Sequence, residues 1–158
     1  MAKKKSLEWR NCSEAELVEH VRSWAEGLDF RDTLIFLEGE MGAGKSTFAR
    51  ALLAVLAPSS RSMGSPTFPL VQEYRTQTGG IVYHIDLYRL KSERELEDSG
   101  IESQIEEPGS AALVEWASLF EDAFAHWWDE SRKRRKKVIR VRIESPQSET
   151  RDFYLTEI

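Results

Sequence analysis

Apolar residues recur at helical spacing in SEAELVEHVRSWAEGL, where Leu17, Val21, Trp24 and Leu28 share one face of a predicted helix. Ser13 stands at its start and Glu16 three positions on, the pattern of a capping box. The pattern then changes. TLIFLE is a short, continuously apolar run, as expected of a strand covered on both faces. Helical spacing returns from Ser46 to Leu56 and stops before Pro58, which cannot continue a helix.

PLVQEY and GIVYHIDLY are extended runs joined by RTQTGG, a connection short enough to predict an antiparallel hairpin. SERELEDSGI reads as a short helix, with Ser92 and Glu95 as a second capping box and Gly100 past its end. AALVEW is another buried strand. SLFEDAFAHWWDE carries Phe120, Phe124, Trp127 and Trp128 at helical spacing, which predicts a stripe packed in the core. VIRVRIES and RDFYLTEI alternate and close the chain as two further strands. Helices interleaved with mostly buried strands predict an α/β fold of three layers around a mixed, mostly parallel sheet that includes an antiparallel hairpin.

The length of 158 residues and the 41% hydrophobic content fit one domain spanning residues 1–158. Residues 1–10, with the cluster AKKK, are expected to form a disordered tail. The net charge of −5 argues against a surface that binds nucleic acid by charge alone. The basic run RKRRKK, residues 132–137, reads as a solvated connection. One cysteine, Cys12, cannot form an internal disulfide, and no apolar run approaches the ~20 residues that span a bilayer. A cytoplasmic protein without a membrane partner is the expectation.

Candidate chemistry centres on Gly39-Glu40-Met41-Gly42-Ala43-Gly44-Lys45-Ser46, which matches G-x-x-x-x-G-K-[ST] in full and sits between a predicted strand and a predicted helix. Glycines let main-chain N–H groups converge on a phosphate, and the helix N-terminus adds favourable charge. Lys45 would reach the β and γ phosphates, and the Ser46 hydroxyl would ligate Mg²⁺. No N-K-x-D stretch is present to read guanine, so ATP is the expected nucleotide. Asp86 and Glu115 close two apolar strands, where ligands of open α/β sheets bind, and suit a metal or an attacking water. His84 alternates with Asp86 and reads as a structural residue. Ser65 and Thr67 of SPTF offer hydroxyls that could sense a γ-phosphate.

Taken in order, GEMGAGKST, SPTFPLVQEY, YHIDLYRL, ELEDSGI and LVEW resemble the TsaE (YjeE) family, P-loop ATPases required for threonylcarbamoyladenosine in tRNA. The resemblance is strong over residues 13–116 and weak in the last third. It implies a P-loop NTPase fold, ATP and Mg²⁺ as cofactors, and slow hydrolysis stimulated by partners. Those partners are the TsaB and TsaD proteins, which meet the tRNA themselves. Catalytic roles follow by motif for Asp86, Glu115 and Thr67, with Ser46, Glu115 and Asp86 at the metal. Nucleotide contacts extend over Gly39 to Ser46 and Thr47, with Trp116 beside the site and Ser13 toward the adenine. Two readings compete: a small-molecule kinase using the same cradle, and a nucleotide-gated binding module with little turnover.

Overall fold

The structure, a computed structural model, describes residues 5–60, 70–134, 136–145 and 147–158. Its strands are β1 (Ser6–Cys12), β2 (Thr33–Glu38), β3 (Val71–Arg75), β4 (Ile81–Asp86), β5 (Ala111–Glu115), β6 (Lys137–Glu144) and β7 (Arg151–Glu157). Its helices are α1 (Glu14–Ala25), α2 (Lys45–Leu56), α3 (Glu93–Ser99), α4 (Ile101–Ile105) and α5 (Glu121–Lys133).

All seven strands join one sheet in the order β1-β7-β6-β2-β5-β4-β3. The central strands run parallel: β2 lies between β5 and β6, and β4 pairs with β5 on its other edge. Both ends of the sheet are antiparallel, through β3 on β4 and through β6, β7 and β1. The mixed sheet with its parallel central strands and the hairpin over residues 71–86 are therefore as the sequence predicts.

Period-two alternation divides the core. Ile35 and Leu37 face the layer of α1 and α2, while Leu34 and Phe36 face the layer of α3, α4 and α5. The aromatic stripe belongs to that second layer: Phe120, just before α5, and Trp127 within it are buried, and the Phe124 ring centroid lies 4.4 Å from that of Phe36. Beyond Val138, β6 buries alternate residues and leaves Arg140, Arg142 and Glu144 exposed, the alternation of a strand covered on one face.

Three local expectations change. Residues 6–10 are not a disordered tail: they belong to the edge strand β1, which pairs with β7 from Ser6↔Thr156 onward. Only Trp9 and Cys12 of that strand are buried, so its polar sequence hides the alternation. The capping box of α1 is complete, but that of α3 is half made. Ser92 accepts the Glu95 N–H, whereas the Glu95 carboxylate takes the Lys91 N–H in place of that of Ser92.

The basic run is not simply solvated either. Arg134 pairs with Glu106, and Lys136 donates to the carbonyls of Ile105 and Glu107, closing the end of α4. Burial holds the Lys136 ammonium below the usual lysine range.

Candidate nucleotide site

Helices leave β2 and β5 toward opposite layers, α2 to one side and α5 to the other, so a crevice opens beyond the carboxyl ends of these neighbours. The glycine loop runs from β2 into α2 at this edge. Gly42 and Gly44 adopt φ of +78° and +109°, a region that side chains disfavour. Gly39 is needed for space: a Cβ there would stand 2.8 Å from the Ile143 carbonyl oxygen of β6. The loop is thus pressed against the sheet while its far end turns into the helix.

Lys45 is only 5% exposed. Its ammonium donates to the carbonyls of Gly39 at 2.6 Å and Glu40 at 2.8 Å, and lies 3.9 Å from the centre of the Trp116 ring. Burial pushes its pKa below the ordinary lysine value, against the opposing pull of Glu115 and Asp86. A buried cation whose hydrogen-bond acceptors are neutral carbonyls is poised to exchange them for an anion.

Glu115, the last residue of β5, is 2% exposed. Ser46 Oγ donates to its Oε1 at 3.1 Å, and His84 Nε2 lies 2.5 Å from its Oε2. Asp86 occupies the paired position on β4, and its Oδ1 accepts the Tyr88 N–H at 3.0 Å. One hydroxyl and two carboxylates thus collect at one edge, a set of hard oxygen donors that fits Mg²⁺.

Trp116 follows Glu115 in the left-handed region, at φ +65°. A bulky residue rarely sits there, and the turn lays its ring over Lys45 and against Tyr88, with ring centroids 5.0 Å apart. Tyr88 and Met41 remain exposed at the mouth. An open cavity of about 280 Å³ joins Met41, Gly42, Gly44, Lys45, Ser46, Thr47, Asp86, Tyr88, Glu115 and Trp116.

A second cavity, of about 250 Å³, opens on the other side of the loop and shares Gly42, Gly44 and Thr47 with the first. Cys12, Ser13, Leu17, Arg151 and Phe153 line it. Ser13 therefore neighbours the loop, although its hydroxyl already accepts the Glu16 N–H as the helix cap.

The structure brings together Gly39 to Thr47, Asp86, Glu115 and Trp116, with Ser13 around the corner. Thr67 and the rest of SPTF lie outside the described residues. Three residues were not legible as site members. His84, expected to be structural, holds the buried carboxylate; Tyr88 buttresses Trp116; and Arg151 at the start of β7 bonds the glycine loop itself. The YHIDLYRL stretch contains the first two, but nothing local marks Arg151.

Over residues 12–153 the chain matches the family profile described as Threonylcarbamoyl adenosine biosynthesis protein TsaE. It is 36% identical over 107 residues to the tRNA threonylcarbamoyladenosine biosynthesis protein TsaE of Rickettsia conorii. That match covers 68% of this chain but 59% of the Rickettsia protein, less than two thirds of its length. The protein of the same name from Bacillus subtilis is 37% identical over 120 residues, covering 75% of this chain and 71% of that one. The fold is similar to the crystal structure of Bacillus subtilis YdiB, with a TM-score of 0.67 and 22% identity over 99% of this chain and 88% of that chain.

Proposed function

The chain belongs to the TsaE family of threonylcarbamoyl adenosine biosynthesis proteins, and from that premise we propose that it binds ATP with Mg²⁺ and hydrolyses it in support of this tRNA modification. It acts on the TsaB–TsaD complex and meets tRNA only through it. The observation that carries this reading is the meeting of Ser46 with the buried carboxylate of Glu115 beside Lys45, at the mouth of a glycine loop.

The loop amides and the N-terminus of α2 receive the phosphates. Lys45 gives up its carbonyl acceptors on Gly39 and Glu40 for phosphate oxygens, an exchange of neutral partners for charged ones. Ser46 with Glu115 and Asp86 would hold Mg²⁺, which would supply neutralisation of phosphate charge when bound. Glu115 is kept in one orientation by Ser46 and His84, which suits it to align a water. The Tyr88 N–H fixes the torsion of the Asp86 carboxylate. The second cavity, lined by Ser13, Cys12 and Phe153, takes the base.

Incubating the chain with ATP and Mg²⁺ and measuring inorganic phosphate tests the proposal. Slow release that quickens on adding a TsaB–TsaD pair is expected. Phosphate arriving on a small-molecule hydroxyl would favour a kinase, and tight binding without turnover would favour a passive nucleotide-gated module.

A further inference from the structure

Arg151 stands half-buried at the start of β7, opposite Cys12 of β1. Its Nε donates to the Ala43 carbonyl at 3.0 Å and its Nη2 to the Gly42 carbonyl at 3.4 Å. Its Nη1 meets the carbonyls of Gln147, Ser148 and Thr150 in the β6–β7 turn at 2.8–3.2 Å. One planar guanidinium therefore clasps two backbone loops that are distant in sequence. Among the described residues no carboxylate pairs with it, so its charge is spent on main-chain oxygens.

Those contacts have a consequence for the amides. In a trans peptide the C=O and N–H point in opposite directions, so fixing one fixes the other. The carbonyl of Ala43 is drawn toward Arg151, which turns the Gly44 N–H away from it. The carbonyl of Gly42 is drawn the same way, and the Ala43 N–H closes a turn onto the Glu40 carbonyl at 3.0 Å. Glycines at φ +78° and +109° have little preference of their own for this arrangement, so an external clasp has orientation to impose.

We propose that Arg151 is a positioning residue that sets two peptide planes of the glycine loop before nucleotide arrives, so that the Gly44 amide is already turned to receive phosphate while the Ala43 amide stays in its turn on Glu40. The inference rests on the phosphate-nest reading above. Its effect lies in preorganisation, because the reorientation of two flexible peptides would otherwise accompany each binding event. The fork geometry is the working part: lysine carries the same charge but has no planar pair of donors to hold both carbonyls at once.

Calorimetric titration of the full chain with inorganic tripolyphosphate and with Mg²⁺–ATP tests this, using Arg151→Gln and Arg151→Lys alongside thermal melts. Both variants are expected to melt cooperatively and to lose about tenfold or more in affinity for tripolyphosphate, and at least as much for Mg²⁺–ATP because Arg151 also lines the cavity proposed for the base, since two hydrogen bonds of a charged donor are removed. Parent-like tripolyphosphate affinity in Arg151→Gln, or full rescue by Arg151→Lys, would overturn the proposal. A loss confined to ATP would place Arg151 at the base and overturn it equally. If neither variant melts cooperatively even with tripolyphosphate present, Arg151 is a folding residue and the proposal is wrong. The nest reading fails separately: it is sunk if the parent ignores tripolyphosphate and Lys45→Ala changes nothing.

Discussion

Ser46 Oγ stands 3.1 Å from Glu115 Oε1, although 69 positions separate them in the chain. The parallel pairing of β2 with β5 creates that contact, since it aligns Leu37 with Glu115 just before the glycine loop departs. A buried carboxylate, a hydroxyl at a helix start and a buried lysine are thereby delivered to the crevice where the sheet changes winding direction.

Glu115→Gln keeps the shape and can still accept from Ser46, but it removes the negative charge. ATP turnover is expected to fall about 100-fold or more, while ATP affinity stays within a few-fold, because the charge serves the reaction more than ground-state binding. Steady-state phosphate release and equilibrium titration read the two quantities separately. Parent-like turnover would remove Glu115 from the chemistry.

Lys45→Ala is expected to weaken ATP binding by about 10- to 100-fold, through loss of a desolvated, charge-assisted contact. Titration calorimetry checks it. Unchanged affinity would count against the cradle.

Lys45 also predicts a pH dependence of the empty fold. Burial holds its pKa below the ordinary 10.5, so the folded chain sheds this proton before the unfolded chain does. Below the folded value both states are charged and the burial penalty is complete. As pH rises from the folded value toward 10.5 the unfolded state binds more protons, and stability rises. Urea melts across that window should show the parent gaining on Lys45→Met. A parent that loses ground there would contradict the assignment.

Gly39→Ala places a Cβ 2.8 Å from the Ile143 carbonyl oxygen and 3.0 Å from the Ala43 Cβ. Backbone cannot yield as a side-chain tip does, so a loss of about 1–3 kcal/mol is expected, seen as a melting temperature lowered by roughly 3–10 °C. Gly42→Ala meets no atom within 4 Å and carries only the strain of its positive φ. Its melt should shift less than that of Gly39→Ala.

Much of this site was legible because its signals are local. The glycine loop, the run TLIFLE and the strand-end positions of Asp86 and Glu115 each declare themselves within a few residues, and parallel strands deliver their ends to one edge. What escaped depends on distant partners. Arg151 looks like any polar strand-start residue until the β6–β7 turn folds it onto Gly42 and Ala43. His84 reads as a structural histidine until β4 and β5 pair and bring it to Glu115. β1 reads as a tail because an edge strand with one open face buries only Trp9 and Cys12. Lys136 looked solvated because its acceptors, the carbonyls of Ile105 and Glu107, come from another segment.

The most direct measurement is a crystal of the chain grown with Mg²⁺ and a non-hydrolysable ATP analogue. The triphosphate is expected against the amides of residues 44–47, with Lys45 swung from Gly39 and Glu40 onto phosphate and the metal on Ser46. A loop that stays vacant at saturating analogue, or an analogue bound elsewhere with Lys45 still on its carbonyls, would contradict it.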